Sequence, residues 1–309
     1  MPTFASTYLD PDTPCRWLRG NHHGHSTVSD GTETPEALVA AYEAAGYDYL
    51  ALSEHDILLD PQPLAAHTRM CLVPAVETTS NQGQTLLHLG ATAALPAGEL
   101  APAEIMARVH ERGGLFVFDH PNWAPRPGYA TDELLATMEG LKGMEVYCGV
   151  IERLQGQALA TNRWDRLLSL GWRVFGHGTD DQHESGDRFV AWNCVQFPDD
   201  APVTPAAIVR ALAEGRFYAS TGVTIEAVGT DRDGAVARVA SDADEVRWVS
   251  RAGIVVKKER GGAGAIGIDE VMDGVPDSEA SLCADALYVR AECLGRGNAS
   301  AWTQPFWLS

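Results

Sequence analysis

The chain has 309 residues, 45% of them apolar and 21% charged, enough to bury a sizeable core in one large domain or a large and a small one. A formal net charge of −19 and a pI near 4.8 argue against a basic face for phosphate backbones, and so against nucleic acid as a partner. No stretch approaches the roughly 18 apolar residues of a membrane span, and no basic segment followed by an apolar run opens the chain, so the sequence predicts a cytoplasmic protein without membrane contact.

The first predicted strand covers 17–25 and ends in Asn21-His22-His23-Gly24-His25, with Asp30 in the loop beyond. Strand side chains alternate faces, so His23 and His25 project to one side, as two imidazoles on one ion would, and His22 to the other. Thr34-Pro35-Glu36 opens a helix as N-cap, N1 proline and first-turn acid, and Gly46 closes it. A buried strand at 47–53 follows, ending in Glu54-His55-Asp56. Further strands are predicted at 72–76, ending in Glu77, and at 84–89, carrying His88. A helix at 102–112 leads into a strand ending in Asp119-His120-Pro121. Then come a helix near 131–139, a strand at 143–147, a helix near 158–170, a strand at 172–176, a Gly-rich turn with Asp181 and His183, and a helix near 204–214.

Repeated strand–helix units predict a largely parallel sheet covered by helices. His55, Glu77, His120 and Asp181 recur just past strand ends, where such sheets build their sites. Nine nitrogen and carboxylate donors come from these ends: His23, His25, Asp30, His55, Glu77, His88, His120, Asp181 and His183. That donor set suits zinc, manganese or iron. From Thr221 the pattern turns to alternating apolar and polar residues between Gly- and Asp-rich turns, which predicts an antiparallel β-sandwich over 221–309 after a first domain over 1–220. The six cysteines (Cys15, Cys71, Cys148, Cys194, Cys283 and Cys293) are scattered without a CxxC and read as reduced thiols.

The order HxH, SDG, a strand ending in His-Asp, a strand ending in Glu, a lone His, His-Pro and Asp-x-His resembles the PHP (polymerase and histidinol phosphatase) superfamily over residues 17–220. FDHPNW, GRFYASTG and the closing YVRAE…AWTQPFW resemble its stand-alone, carbaryl-hydrolase-like metallohydrolases. The resemblance implies an α/β fold, a distorted (β/α)7 barrel, with two or three divalent ions at the strand ends. It implies a first ion on His23, His25, Glu77 and Asp181, a second on Glu77, His88 and His120, and a third on Asp30, His55 and His183. Departures are Asn21-His22 before the HxH, Cys148 where Asn is frequent, and His177 where small residues are commoner.

The expected chemistry is attack of a metal-activated water on phosphorus or on a carbonyl carbon. A phosphoesterase acting on a small, anionic phosphate ester is the leading expectation. A carbamate, ester or amide hydrolase is the second, and a non-catalytic metal-binding module the third. His55, His183 and His177 are the candidate proton donors. Arg126, Arg188 and Trp123 are the candidate substrate contacts, the arginines as partners for a phosphate. The sequence is compatible with a monomer or a homo-oligomer.

Overall fold

Threonine and proline set the helix starts. Thr34 accepts a hydrogen bond from the Ala37 amide at the head of helix α1 (Pro35–Ala44), and the chain leaves that helix through Gly46 at φ 80°. A computed structural model describes residues 2–125, 128–276 and 287–309; Arg126 and Cys283 lie outside them. The first strands are β1 (Phe4–Ala5), β2 (Cys15–Asn21), β3 (Tyr49–Leu52), β4 (Cys71–Thr79), β5 (Thr85–Leu89), β6 (Leu115–Phe118), β7 (Gly143–Cys148), β8 (Phe175–Thr179), β9 (Trp192–Pro198) and β10 (Phe217–Ser220). Between them run α2 (Gln62–Ala65), α3 (Pro102–Glu111), α4 (Asp132–Ala136), α5 (Thr161–Ser169) and α6 (Pro205–Ala213). The C-terminal elements are β11 (Ile225–Thr230), β12 (Val236–Ser241), β13 (Glu245–Ser250), β14 (Ile254–Arg260), β15 (Ala263–Gly267), α7 (Ile268–Gly274), β16 (Tyr288–Leu294), β17 (Ser300–Thr303) and β18 (Phe306–Leu308).

The main sheet runs β9-β2-β3-β4-β5-β6-β7-β8. It is parallel from β2 to β4 and from β6 to β8, but β5 is antiparallel to both neighbours. The link from β4 to β5 is too short for a crossover, so the expected, largely parallel order is interrupted by a hairpin there. β9, antiparallel to β2 and β10, was not among the predicted strands. The sheet curls, yet no ladder among the described residues closes it as a barrel. A single bridge, Gly24 to Gln182, joins the loop beyond β2 to the loop beyond β8. Side-chain amides occupy the edge of β8 instead: Asn193 bonds both the N–H and the carbonyl of Gly178, and Gln304 those of Gly176. Each amide imitates a neighbouring strand and satisfies an edge that would otherwise stay open.

Alternation divides the apolar residues into two layers. Leu18, Ala75, Leu87, Val117 and Phe175 face the concave side, where Ile208, Val209 and Leu212 of α6 join them. Leu86, Phe116, Phe118 and Met144 face outward against Ile105 and Val109 of α3 and Trp164 of α5. The sheet continues past residue 220, because β10 pairs with β17 and β17 with β16. A second sheet of β11, β12 and β15 packs on this extension through Val239, Ile266, Trp248 and Val289. The expected C-terminal sandwich is thus two sheets on a shared core, one of them continuous with the main sheet.

Candidate metal centre

The chain leaves β2 at Asn21, and the next residues pair with the loop after β8. The Asp181 amide donates to the His23 carbonyl (3.0 Å) and the His25 amide to the Gln182 carbonyl (2.8 Å). On the other side His55 bridges to Glu77 near the end of β4. Four donors meet as a result. His23 Nε2 lies 3.5 Å from Glu77 Oε2 and 3.2 Å from Asp181 Oδ1, and His25 Nε2 lies 3.2 Å from each of those oxygens. The compact set is His23, His25 and Asp181, whose donor atoms all lie within 4.8 Å of one another, and Glu77 Oε2 adjoins it through the two imidazoles.

All four atoms are buried, and none has a hydrogen-bond partner; the same is true of Asp119 Oδ2 and of His25 Nδ1. An unpaired buried polar atom costs about 1–3 kcal/mol, so a cluster of them facing one another fits a bound cation. Imidazole and carboxylate donors suit zinc, manganese or iron. Electrostatics agree. Burial pushes the Glu77 carboxyl up, but His23, His120 and His25 outweigh it and hold it well below the usual carboxylate range. Burial lowers the His25 imidazole, yet Asp181 and Glu77 prevail and raise it to about 9. A pocket that favours a proton on imidazole favours cations generally.

Two further groups adjoin the first. Donor atoms of Glu77, Asp119 and His120 lie within 4.8 Å of one another, as do those of His25, Asp30, His55 and His183. Asp30 reaches His55 Nε2 at 3.5 Å and His183 Nε2 at 3.4 Å. Both His120 (φ 28°) and Asp181 (φ 50°) hold left-handed backbone conformations, the kind of local strain that collects at functional sites.

The structure does not bring together every expected residue. His88 stands apart, paired across the sheet with Val76 and Phe116 on the outer face, and burial lowers its imidazole to about 4. His177 is fully buried on the concave side against His22 and Phe217 and belongs to none of the donor groups. Its neighbour His22 approaches Asn193 and takes no part in the donor groups. Arg188 is tied to Glu33 Oε1 (3.2 Å) and to the Ser185 carbonyl. Trp123 packs edge-on against His120 and Tyr129. Arg126 is outside the described residues.

Three carboxylates escaped the sequence reading. Glu145 accepts from His23 Nδ1 (2.7 Å), the His120 amide (2.6 Å) and Thr179 Oγ1 (2.5 Å), so it orients two donors at once. Asp119 joins the donors directly. Glu54 accepts from the amides and hydroxyls of both Ser26 and Ser29 and shapes the loop that carries Asp30. Glu145 lies on β7 two residues from Gly143, and Asp119 two residues from Val117. Period-two alternation would have placed both on the concave face, had the register been known.

No protein-family model matches the sequence, and no curated protein does. Among solved structures, the chain is similar to a two-domain protein containing a predicted PHP-like metal-dependent phosphoesterase from Bacteroides vulgatus, with 17% identity, 97% of this chain and 99% of that one covered, and a TM-score of 0.53. It also overlaps an amidohydrolase from Chromobacterium violaceum, with 15% identity, 64% and 96% covered, and a TM-score of 0.42. The first likeness runs the length of both chains and shows that this chain shares the fold of that structure.

Proposed function

We propose that the chain is a metal-dependent hydrolase of the PHP type acting on small phosphate esters. The observation that carries this is the meeting of His23 Nε2, His25 Nε2, Glu77 Oε2 and Asp181 Oδ1 at 3.2–3.5 Å, buried and unpartnered. Divalent ions held there supply Lewis acidity and water activation. The remaining work falls to the chain. Glu145 fixes the ring of His23 through Nδ1 and leaves Nε2 pointed at the centre. His55 and His183, whose side chains are 30% and 22% exposed, stand beside Asp30; where no ion occupies them, either can hand a proton to a departing oxygen. Trp123 packs edge-on against His120.

A second reading, hydrolysis of a carbamate, ester or amide, has one observation in its favour. Among the described residues, the candidate Arg188 is already paired with Glu33, and Arg153 is bound in a two-point pair to Asp187. Elemental analysis combined with a panel of phosphomonoesters, phosphodiesters, carboxylic esters and carbamates on metal-loaded protein separates the readings. Turnover of phosphate esters alone supports the first, and turnover of carbamates or esters alone the second. Inactivity of the fully loaded protein on every class would leave a metal-binding module and sink both.

A further inference from the structure

The register of the sheet separates the two side chains that could complete the donors around His120. Directly paired residues share a face. Glu77 pairs with Leu87, and Leu87 with Val117, so these three point to the concave side. Asp119 lies two residues beyond Val117 and returns to that side. Its Oδ1 accepts from the Leu87 amide at 3.2 Å, beside Glu77, while its Oδ2 is buried and unpartnered. His88 pairs with Val76 and Phe116 and takes the other face, in the layer under α3. A Cβ built on Gly114 would come within 2.8 Å of His88 Nε2, so the ring is seated against that glycine and away from Glu77.

On the reading of the site as a metal centre, we propose that Asp119, not His88, joins Glu77 and His120 as a protein donor to the second ion. That position then has two carboxylates and one imidazole. Exchanging an imidazole for a carboxylate hardens the donor set and shifts its preference from zinc towards manganese or iron(II).

The test is to load wild-type protein, His88→Leu and Asp119→Asn with Mn2+, dialyse, and count bound equivalents. The expected result is that His88→Leu keeps the wild-type count and Asp119→Asn loses one equivalent. Loss of an equivalent in His88→Leu, or full retention in Asp119→Asn, overturns the assignment. If Asp119→Asn does not fold, anomalous diffraction from Mn2+-soaked wild-type crystals decides. An ion bonded to Asp119 supports the assignment, and an ion bonded to His88, or to neither, overturns it. A wild-type protein that binds no metal at all overturns the functional reading, a result distinct from metal held without Asp119.

Discussion

Glu77 adjoins all three donor groups. Its Oε2 faces His23, His25 and His55 (3.0 Å from His55 Nδ1), and its Oε1 faces His120 at 3.6 Å. Glu77→Ala should therefore remove at least one metal equivalent and abolish turnover; a variant that kept both would show that Glu77 does not serve the ions. His22→Ala is the contrast. Its ring touches Asn193 and His177, so metal content should stay at the wild-type value, and loss of a full equivalent would refute that placement. Alternation along NHHGHS separated His22 from His23 and His25 without any coordinates. The resemblance implied His88 as a donor, but a hairpin's register decides which face a residue takes, and register is not written in the motif order. Proton competition supplies a pH prediction at this scale. The His25 imidazole is raised from 6.5 to about 9 in the ion-free chain, and only the neutral ring ligates. Metal affinity should thus rise with pH up to about 9, and binding near neutral pH should release protons. Calorimetry in buffers of different ionisation enthalpy reads this directly, and uptake without proton release would contradict it.

Among the elements, helices were the most legible. Thr34-Pro35 and Thr204-Pro205 each carry an N-cap bond and an N1 proline in the fold, as their sequence implies. Short strands were less so. Asn and Gln interrupt the apolar pattern of β9, and glycines in FGHGT hide β8, which begins three residues later than expected. The loop from Ser26 to Asp30 shows what position alone does not reveal. Glu54 is fully buried and collects four serine donors, two hydroxyls and two amides. The Asp30 side chain is 55% exposed and depends on that loop for its place beside His55 and His183. Glu54→Gln replaces two acceptor oxygens by one acceptor and one donor, which cannot satisfy all four serine groups. The expected outcome is a weakened third group with the first intact: one equivalent lost or bound about 10-fold more weakly, the rest unchanged. Simultaneous loss of every equivalent would mean that the loop supports the whole centre.

At the scale of the molecule, the β-rich tail was legible as strands but not as part of the main sheet, because the linking strands β9 and β10 were unread. A buried joint reinforces that continuity. Arg290 on β16 donates to both oxygens of Asp165 on α5 (2.8 and 2.6 Å), and Tyr288 adds a third bond at 2.9 Å. Arg290 and Asp165 are both buried, and Arg290 Nη1 also donates to the part-buried Glu292 Oε1 at 2.8 Å. Removing one partner leaves an uncompensated buried charge, at a cost of about 3–5 kcal/mol, whereas an apolar pair of similar volume is close to neutral. Arg290→Ala should therefore lower the urea-unfolding free energy by about that amount, and Asp165→Leu combined with Arg290→Met should recover part of it, Glu292 being left without its guanidinium. Neither should alter the number of bound ions, because the joint lies outside the donor groups. A loss below about 1 kcal/mol, the range of exposed pairs, would show that the tail is held by its shared sheet alone. A changed metal count would show instead that the tail and the centre are coupled.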